Sequence, residues 1–224
     1  MIVGFVGLIG SGKDTAADYL VNFHGFRRDS FANTLKDAVS AVFGWDRVML
    51  EGRTAESRAW REKVDPWWSQ RLDMPDLTPR WILQNWGTEV CRQGFHDDIW
   101  IASLENKLHN SSDHVVISDV RFPNEIAAIR RAGGRIYWIK RGDLPKWYQC
   151  ALKENTTGED DQWLLEDAHE LMAQRFADVH HSEWAWIGQR FDAELDNNGS
   201  IQDLYQQLKS LVQDHHAAKD GLAV

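Results

Sequence analysis

Glycine and lysine residues near the start of the chain have the spacing of a loop that binds phosphate. Gly7 and Gly12 fit the pattern G-x-x-x-x-G-K-[ST], Lys13 follows directly, and Gly10 removes one more side chain. In such a loop the backbone N–H groups point at a phosphate, and the dipole of the following helix adds positive charge. The sequence therefore predicts a phosphate-binding loop over residues 7–15, with the lysine reaching the outer phosphates.

The last position of the motif departs from the pattern. Asp14 stands where serine or threonine is expected, and the hydroxyl arrives one residue later, at Thr15. The order Ser11-Gly12-Lys13-x-Thr15 resembles nucleoside monophosphate kinases more than ATPases or GTPases. Asp14 is either a metal ligand or a partner of the helix dipole in the first turn. Which of Asp14 and Thr15 contacts a metal therefore stays open.

Alternating strands and helices are expected to position this loop. The apolar run 2–6 predicts a strand before it, and the spacing of apolar residues over 15–23 predicts a helix after it, ended by Gly25. A further helix is predicted over 33–43, with Gly44 as its end. These elements, with the strands described next, indicate an α/β fold: a parallel sheet flanked by helices.

Charged residues follow two further predicted strands. The buried run 114–120 ends in Asp119 and Arg121, and the strand predicted over 135–140 ends at Arg141. Ligands of open α/β sheets lie outside the carboxyl ends of the strands. A carboxylate there suits the organisation of Mg²⁺, so Asp119 is a candidate metal ligand.

Two segments interrupt this alternation. Residues 45–77 lose the apolar periodicity, and their tryptophans predict a packed, substrate-binding insertion rather than a linker. Residues 142–179 read as mostly helical and acidic, and are a candidate lid. Between them, Thr78 and Pro79 predict the start of a helix in whose first turn Arg80 opposes the helix dipole, which favours a ligand anion nearby.

Length and composition limit the class of protein. The chain has 224 residues, which suits a single domain with insertions, and its net charge of −9 argues against an extended nucleic-acid surface. With two cysteines and no apolar run of about eighteen residues, neither a disulfide framework nor a membrane span is expected. We therefore expect a cytoplasmic protein. A homodimer is left open.

Sequence segments along nearly the whole chain resemble the deoxynucleoside monophosphate kinases of tailed bacteriophages. These segments are SGKDTAADYL, FANTLKDAV, TPRWILQNWGTEV, DDIW, VVISDVRFPNE, AGGRIYWIKR, HHSE and NNGSIQDL. The resemblance implies a P-loop kinase fold and phosphoryl transfer from ATP to a deoxynucleoside monophosphate, assisted by Mg²⁺. It is weakest over 45–77 and 142–179, the regions expected to set nucleotide preference.

The resemblance and the chemistry together assign roles to residues. The loop (Gly7, Gly10, Ser11, Gly12, Lys13, Asp14, Thr15) would hold ATP, and Thr15 with Asp119 would organise Mg²⁺. Arg80 would clamp the acceptor phosphate, with Lys36 and Gln84 as further acceptor ligands; Lys36 is alternatively a solvated helix lysine. Arg121 and Arg141 would neutralise charge in the transition state. In the free protein we expect Lys13 to face solvent.

Three other functions would share part of this sequence pattern. A P-loop kinase of another small acceptor, such as dephospho-coenzyme A, would share the first strand, loop and helix. A kinase of a modified base within DNA is disfavoured by the net charge. A GTP-dependent switch would need the guanine motif N/T-K-x-D, and the nearest segment ends in His109 instead of aspartate.

Overall fold

The computed structural model describes residues 1–157 and 162–220, with side chains described except at 162–167 and 216–220. These residues form two compact units, one of residues 1–30 and 108–224 and one of residues 31–107. The strands are β1 (Ile2–Val6), β2 (Arg27–Asp29), β3 (Val115–Ile117), β4 (Arg135–Lys140) and β5 (Ala193–Asp196). The α-helices are α1 (Lys13–His24), α2 (Asn33–Phe43), α3 (Arg47–Glu51), α4 (Ala55–Arg61), α5 (Pro66–Leu72), α6 (Pro79–Asn85), α7 (Ile99–His109), α8 (Pro123–Arg131), α9 (Tyr148–Thr156), α10 (Gln162–Arg175) and α11 (Ile201–Asp220).

The first unit is built on a sheet of five strands in the order β2-β3-β1-β4-β5. Every neighbouring pair is parallel, and Gly4 of β1 pairs with Ile117 on one side and Ile136 on the other. The strand that leads into the phosphate loop is therefore the central one. Its position places the loop at the middle of the carboxyl edge of the sheet, where ligands of such sheets bind.

Helices cover both faces of this sheet. Val3 and Phe5 of β1 pack with Leu20 of α1 and Leu204 of α11. Gly4 faces the other way, because side chains alternate along a strand. A Cβ atom at Gly4 would lie 2.8 Å from Ile129 Cδ1 of α8, so this helix lies close against the second face. The expected parallel sheet flanked by helices is confirmed.

The second unit is helical and has its own apolar core. The Phe43 ring centroid lies 4.6 Å from that of Trp45, 4.8 Å from that of Trp68 and 5.4 Å from that of Trp86. The tryptophans that surround Phe43 thus pack, as their position in the sequence predicted. Trp67 is an exception, since 60% of it is exposed.

Segment 45–77 is more regular than its sequence indicated. It contains α3, α4 and α5, and each of these short helices is capped by a side chain, from Asp46, Thr54 and Asp65 respectively. Helices this short show too few turns for an apolar stripe to be read from the sequence. Its role in substrate binding stays a prediction.

Other elements differ in their bounds. β3 has three residues and ends at Ile117, so Asp119 lies beyond the strand rather than at its end. The helix predicted from Thr78 begins at Pro79, and after Asn85 it continues as a π-helix over Trp86–Gln93. The predicted lid contains α9 and α10, and its residues 158–161 lie outside the described residues. Its movement stays a prediction.

A search of the described residues for membrane spans found no helix of sufficient length and apolar character.

Candidate active site

The phosphate loop needs glycine where neighbouring segments come closest. Gly7 has φ +149°, and a Cβ there would lie 2.6 Å from the Ile139 carbonyl oxygen of β4. Gly12 has φ +102°, and a Cβ there would overlap the Asn197 amide. That amide donates a hydrogen bond to the Ser11 carbonyl oxygen over 2.8 Å. The loop is therefore held between the end of β4 and the turn after β5.

Lys13 lies across this loop. Its ammonium donates hydrogen bonds to the carbonyl oxygens of Gly7, over 2.7 Å, and of Leu8, over 2.9 Å. Burial lowers the pKa of Lys13; the Asp14 charge acts in the opposite direction, and that of Arg121 lowers it further. Lys13 is half-buried, so the expectation of a solvent-facing lysine was wrong. The interaction with two loop carbonyls, which the sequence did not indicate, is the physical reason.

Asp14 holds a neighbouring segment against the start of α1. Its carboxylate accepts a hydrogen bond from the Ser118 hydroxyl over 2.9 Å. Arg28 also contacts this carboxylate, at 3.4 Å, and donates to the Asp14 carbonyl oxygen over 2.8 Å. Asp14 therefore ties the chain that follows β3 to the phosphate loop, a role that sequence reasoning missed.

Asp119 directly follows Ser118, whose hydroxyl donates to the Asp14 carboxylate. The pairing of β3 with β1 ends at Ile117, opposite Gly4, and Asp119 follows two residues later. Asp119 is half-buried, as is Thr15. Within the part of the chain that the structure describes, no group of three His, Cys, Asp or Glu side chains could hold a metal. A hydroxyl and one carboxylate nevertheless suit Mg²⁺, which keeps several waters and takes further oxygen ligands from substrate phosphates.

Arg121 is held by a segment that the site prediction did not include. Its guanidinium donates to the Ser182 hydroxyl over 3.3 Å and lies 3.8 Å from the Glu183 carboxylate. The Ser182 hydroxyl in turn lies 2.9 Å from His180 Nδ1. Since the charges of Arg121 and Glu183 both act on the pKa of Lys13, the HHSE segment belongs to the surroundings of the phosphate loop.

Arg141 lies on the opposite side of the loop. It approaches the Gly10 carbonyl oxygen at 3.5 Å, at the limit of a hydrogen bond. Next to it is a cavity of about 280 Å³. The side chains and backbone that line this cavity are those of Leu8, Trp138, Ile139, Lys140, Arg141, Gly142, Asp143, Leu144 and Asn198. The cavity thus has walls of mixed polar and apolar character, with a guanidinium directly beside the phosphate loop.

The predicted acceptor ligands belong to the second unit. Arg80 is half-exposed in the first turn of α6, where its Nε lies 3.3 Å from the Glu62 carboxylate. Gln84 is exposed one turn further along the same helix, so the two side chains share a face. Lys36 is mostly buried and pairs with the Glu51 carboxylate at 2.7 Å.

The ion pair with Glu51 limits the ability of Lys36 to bind a phosphate. Burial raises the pKa of Glu51, but hydrogen bonds from Lys36 and Arg47 outweigh this, and the pKa lies below its ordinary value. The carboxylate is therefore charged at neutral pH and shared between two cations. Lys36 is not the solvated helix lysine of the alternative interpretation, and much of its charge is already neutralised.

Comparison with known proteins identifies the family. No family model matches the chain. A protein of Acanthamoeba polyphaga mimivirus that bears the name deoxynucleotide monophosphate kinase is 35% identical over 155 residues, which cover 63% of this chain and 74% of the relative. The chain belongs to the deoxynucleoside monophosphate kinase family.

A second member of the family agrees with this assignment. The deoxynucleoside-5'-monophosphate kinase of Escherichia phage T5 is 28% identical over 179 residues, which cover 58% of this chain and 72% of that protein. The resemblance to the deoxynucleoside monophosphate kinase family inferred from the sequence segments is therefore confirmed.

Similar solved structures include shikimate kinase from Aquifex aeolicus vf5, with a TM-score of 0.40 and 9% identity over 97% of this chain and 99% of that chain. They also include dephospho-CoA kinase from Campylobacter jejuni, with a TM-score of 0.37 and 17% identity over 95% and 96%. At these values, membership in the deoxynucleoside monophosphate kinase family rests on the two sequence relatives.

Proposed function

We propose that this protein transfers the terminal phosphoryl group of ATP to the phosphate of a deoxynucleoside 5'-monophosphate, giving ADP and the deoxynucleoside diphosphate. The observation that carries the proposal is the phosphate loop with Lys13 across it, in a chain of the deoxynucleoside monophosphate kinase family. The names of the two relatives supply the acceptor class.

The donor nucleotide is assigned to the first unit. The loop N–H groups and the Lys13 ammonium would bind the β- and γ-phosphates, since the loop follows the central strand and opens the N-terminus of α1. The cavity beside Leu8 and Arg141 would take the base, because its lining combines apolar side chains, which suit an aromatic ring, with polar groups that can hydrogen-bond to the edge of the ring. On this assignment the Arg141 guanidinium lies between the base and the phosphates.

Thr15 and Asp119 are the residues that would hold Mg²⁺, through the hydroxyl and the carboxylate. The ion would neutralise phosphate charge and orient the donor phosphates. Asp14 is assigned no metal contact, because its carboxylate is engaged by Ser118 and Arg28. The tie from Asp14 to Ser118 would instead keep the neighbouring Asp119 in place beside the loop.

The acceptor nucleotide is assigned to the second unit. Arg80 uses only Nε for Glu62, so within the described residues both of its terminal nitrogens remain available for two phosphate oxygens. Gln84, on the same face of α6, would contact the same nucleotide. Lys36 is the weaker candidate, because a new partner would have to compete with Glu51.

Phosphoryl transfer needs little covalent chemistry from the protein, so positioning and charge neutralisation would supply most of the rate. Lys13 and Arg141 approach the loop from two sides, and Arg121 is close enough to affect the pKa of Lys13. These three cations would spread the charge that develops on the transferred group. Glu183 and Ser182 would orient Arg121 for this purpose.

A coupled assay of ADP release tests the proposal, with each common deoxynucleoside and ribonucleoside monophosphate as acceptor. We expect turnover with at least one deoxynucleoside monophosphate and its loss in Lys13→Met. Dephospho-coenzyme A and duplex DNA with a modified base serve as competing acceptors. Turnover with one of these alone, or with no deoxynucleoside monophosphate, would overturn the proposed acceptor class.

A further inference from the structure

Among the described residues, the Arg61 side chain at the end of α4 forms no salt bridge. Its Nε atom is buried and makes no hydrogen bond within the described residues. Burial lowers the pKa of Arg61, and the positive charge of Arg80 lowers it further. The charges of Glu62 and Glu51 act in the opposite direction. An anion bound between a partly buried guanidinium and a second guanidinium would stabilise both, so the arrangement suits a negative ligand.

The backbone makes room for this guanidinium. Gly52 ends α3 with φ +68°, and a Cβ atom there would overlap the Arg61 guanidinium carbon and both of its terminal nitrogens. The Arg61 side chain therefore rests flat on a backbone position that only glycine leaves open. Packing against Gly52 positions the guanidinium without an ion pair to a carboxylate, so its positive charge remains available to a ligand.

The surrounding charges are unbalanced. The positive charges of Arg58 and Arg80 act on Arg61. The negative charge of Glu62 opposes them, but its side chain is 60% exposed and already pairs with Arg80. Glu51 also acts on Arg61, but its charge is already shared by Lys36 and Arg47. The cluster around Arg61 therefore keeps a net positive charge.

We propose that Arg61 and Arg80 together bind the phosphate of the acceptor nucleotide, with Gly52 as the platform that holds the Arg61 guanidinium. The inference rests on the proposed function and deepens it, because it exchanges Lys36 for Arg61 as the principal partner of Arg80. A phosphate monoester dianion fits the site, since two planar guanidinium groups can each donate to its oxygens. Neither arginine then has to give up a strong ion pair.

Steady-state kinetics of Arg61→Gln test the proposal with the acceptor that the wild-type protein uses best. Loss of one charge-assisted hydrogen bond should raise KM for the deoxynucleoside monophosphate about tenfold or more, while KM for ATP stays nearly constant. Arg190→Gln, at an exposed arginine outside the predicted substrate-binding insertion, is the control and should leave both constants unchanged. An unchanged acceptor KM in Arg61→Gln would overturn the proposal.

A second pair of variants leaves Arg61 in place. In Gly52→Ala the new methyl group displaces the guanidinium, and the acceptor KM should rise as in Arg61→Gln. Gly44→Ala, at φ +70° with no atom within 4 Å of the added Cβ, introduces the same backbone strain without displacing a side chain. Equal acceptor KM values in these two variants would overturn the role of Gly52 as a platform.

Calorimetry separates phosphate binding from a structural effect. Arg61→Gln should lose affinity for the deoxynucleoside monophosphate but keep that for the corresponding deoxynucleoside, which lacks the phosphate. An equal loss for both ligands would assign Arg61 to the fold alone. If the wild-type protein phosphorylates no deoxynucleoside monophosphate, the proposed function fails. If it does so and Arg61→Gln behaves as wild type, only the inference about Arg61 fails.

Discussion

Substitution of Arg80 by lysine separates the acceptor site from the donor site. The Nε atom of Arg80 lies 3.3 Å from the Glu62 carboxylate. The proposed bidentate contact with the acceptor phosphate uses the two terminal nitrogens of the same guanidinium. Lysine keeps the charge but loses the planar fork, and with it one of two parallel hydrogen bonds to the phosphate. A hydrogen bond to a charged group contributes about 1.5–3 kcal/mol, which corresponds to roughly a tenfold to hundredfold rise in the acceptor KM.

The same substitution should hardly change the stability of the protein. Both side chains of the pair are about half-exposed, 49% for Arg80 and 60% for Glu62. Such ion pairs contribute about 0–1 kcal/mol, so Arg80→Lys should unfold in urea nearly as the wild type does. The lost affinity can then be assigned to the ligand rather than to the fold.

Kinetics with each substrate varied in turn provide the measurement. The expected pattern is a higher KM for the deoxynucleoside monophosphate with KM for ATP within about twofold of wild type. Equal increases in both constants, or an increase for ATP alone, would refute the reasoning and remove Arg80 from the acceptor site.

Three further outcomes follow from the geometry. Lys13→Met should lower kcat by roughly a hundredfold or more, and thermal unfolding measured alongside will show how far the two lost loop hydrogen bonds contribute. Asp119→Asn should raise the Mg²⁺ concentration needed for half-maximal activity; an unchanged metal dependence would leave this residue a structural role. Glu51→Gln should lower the free energy of unfolding most near neutral pH. The pKa of Glu51 lies below its ordinary value of about 4.5, so above that pH the carboxylate is charged and its ion pairs with Lys36 and Arg47 are intact. The difference from wild type in urea unfolding should shrink as the pH falls through the folded-state pKa, and a constant difference would contradict this explanation.

Local sequence signals predicted the central elements of the fold closely. The bounds of β1, α2 and β4 agree with those predicted from the sequence, and α1 and α2 end before Gly25 and Gly44 as expected. These signals act over neighbouring residues, so one sequence suffices to read them. By contrast, β3 ends at Ile117 although its partner β1 continues to Val6, and the apolar run over 114–120 carries no local sign of that end.

Contacts between distant residues account for what the sequence could not predict in the candidate site. Lys36 was open between two interpretations because its partner, Glu51, lies in a segment without periodicity. The placement of Arg61, the last residue of α4, depends on the left-handed backbone of Gly52, which ends α3. The contacts of Lys36 with Glu51 and of Arg61 with Gly52 join residues that are distant in the sequence. The motif therefore predicted the phosphate loop, but these supporting contacts could be identified only from the structure.

The contact of Asn197 with the phosphate loop has a consequence for the order of folding. The loop lies at residues 7–15, yet the amide that bonds to the Ser11 carbonyl follows the last strand of the sheet. The Asn197 N–H also bonds to the Lys140 carbonyl oxygen at the end of β4, so β5 must pair before this amide is in place. During synthesis the motif therefore emerges well before the turn after β5 that supplies this hydrogen bond to it. Nascent chains stalled before β5 should therefore bind nucleotide more weakly than chains that include Asn197.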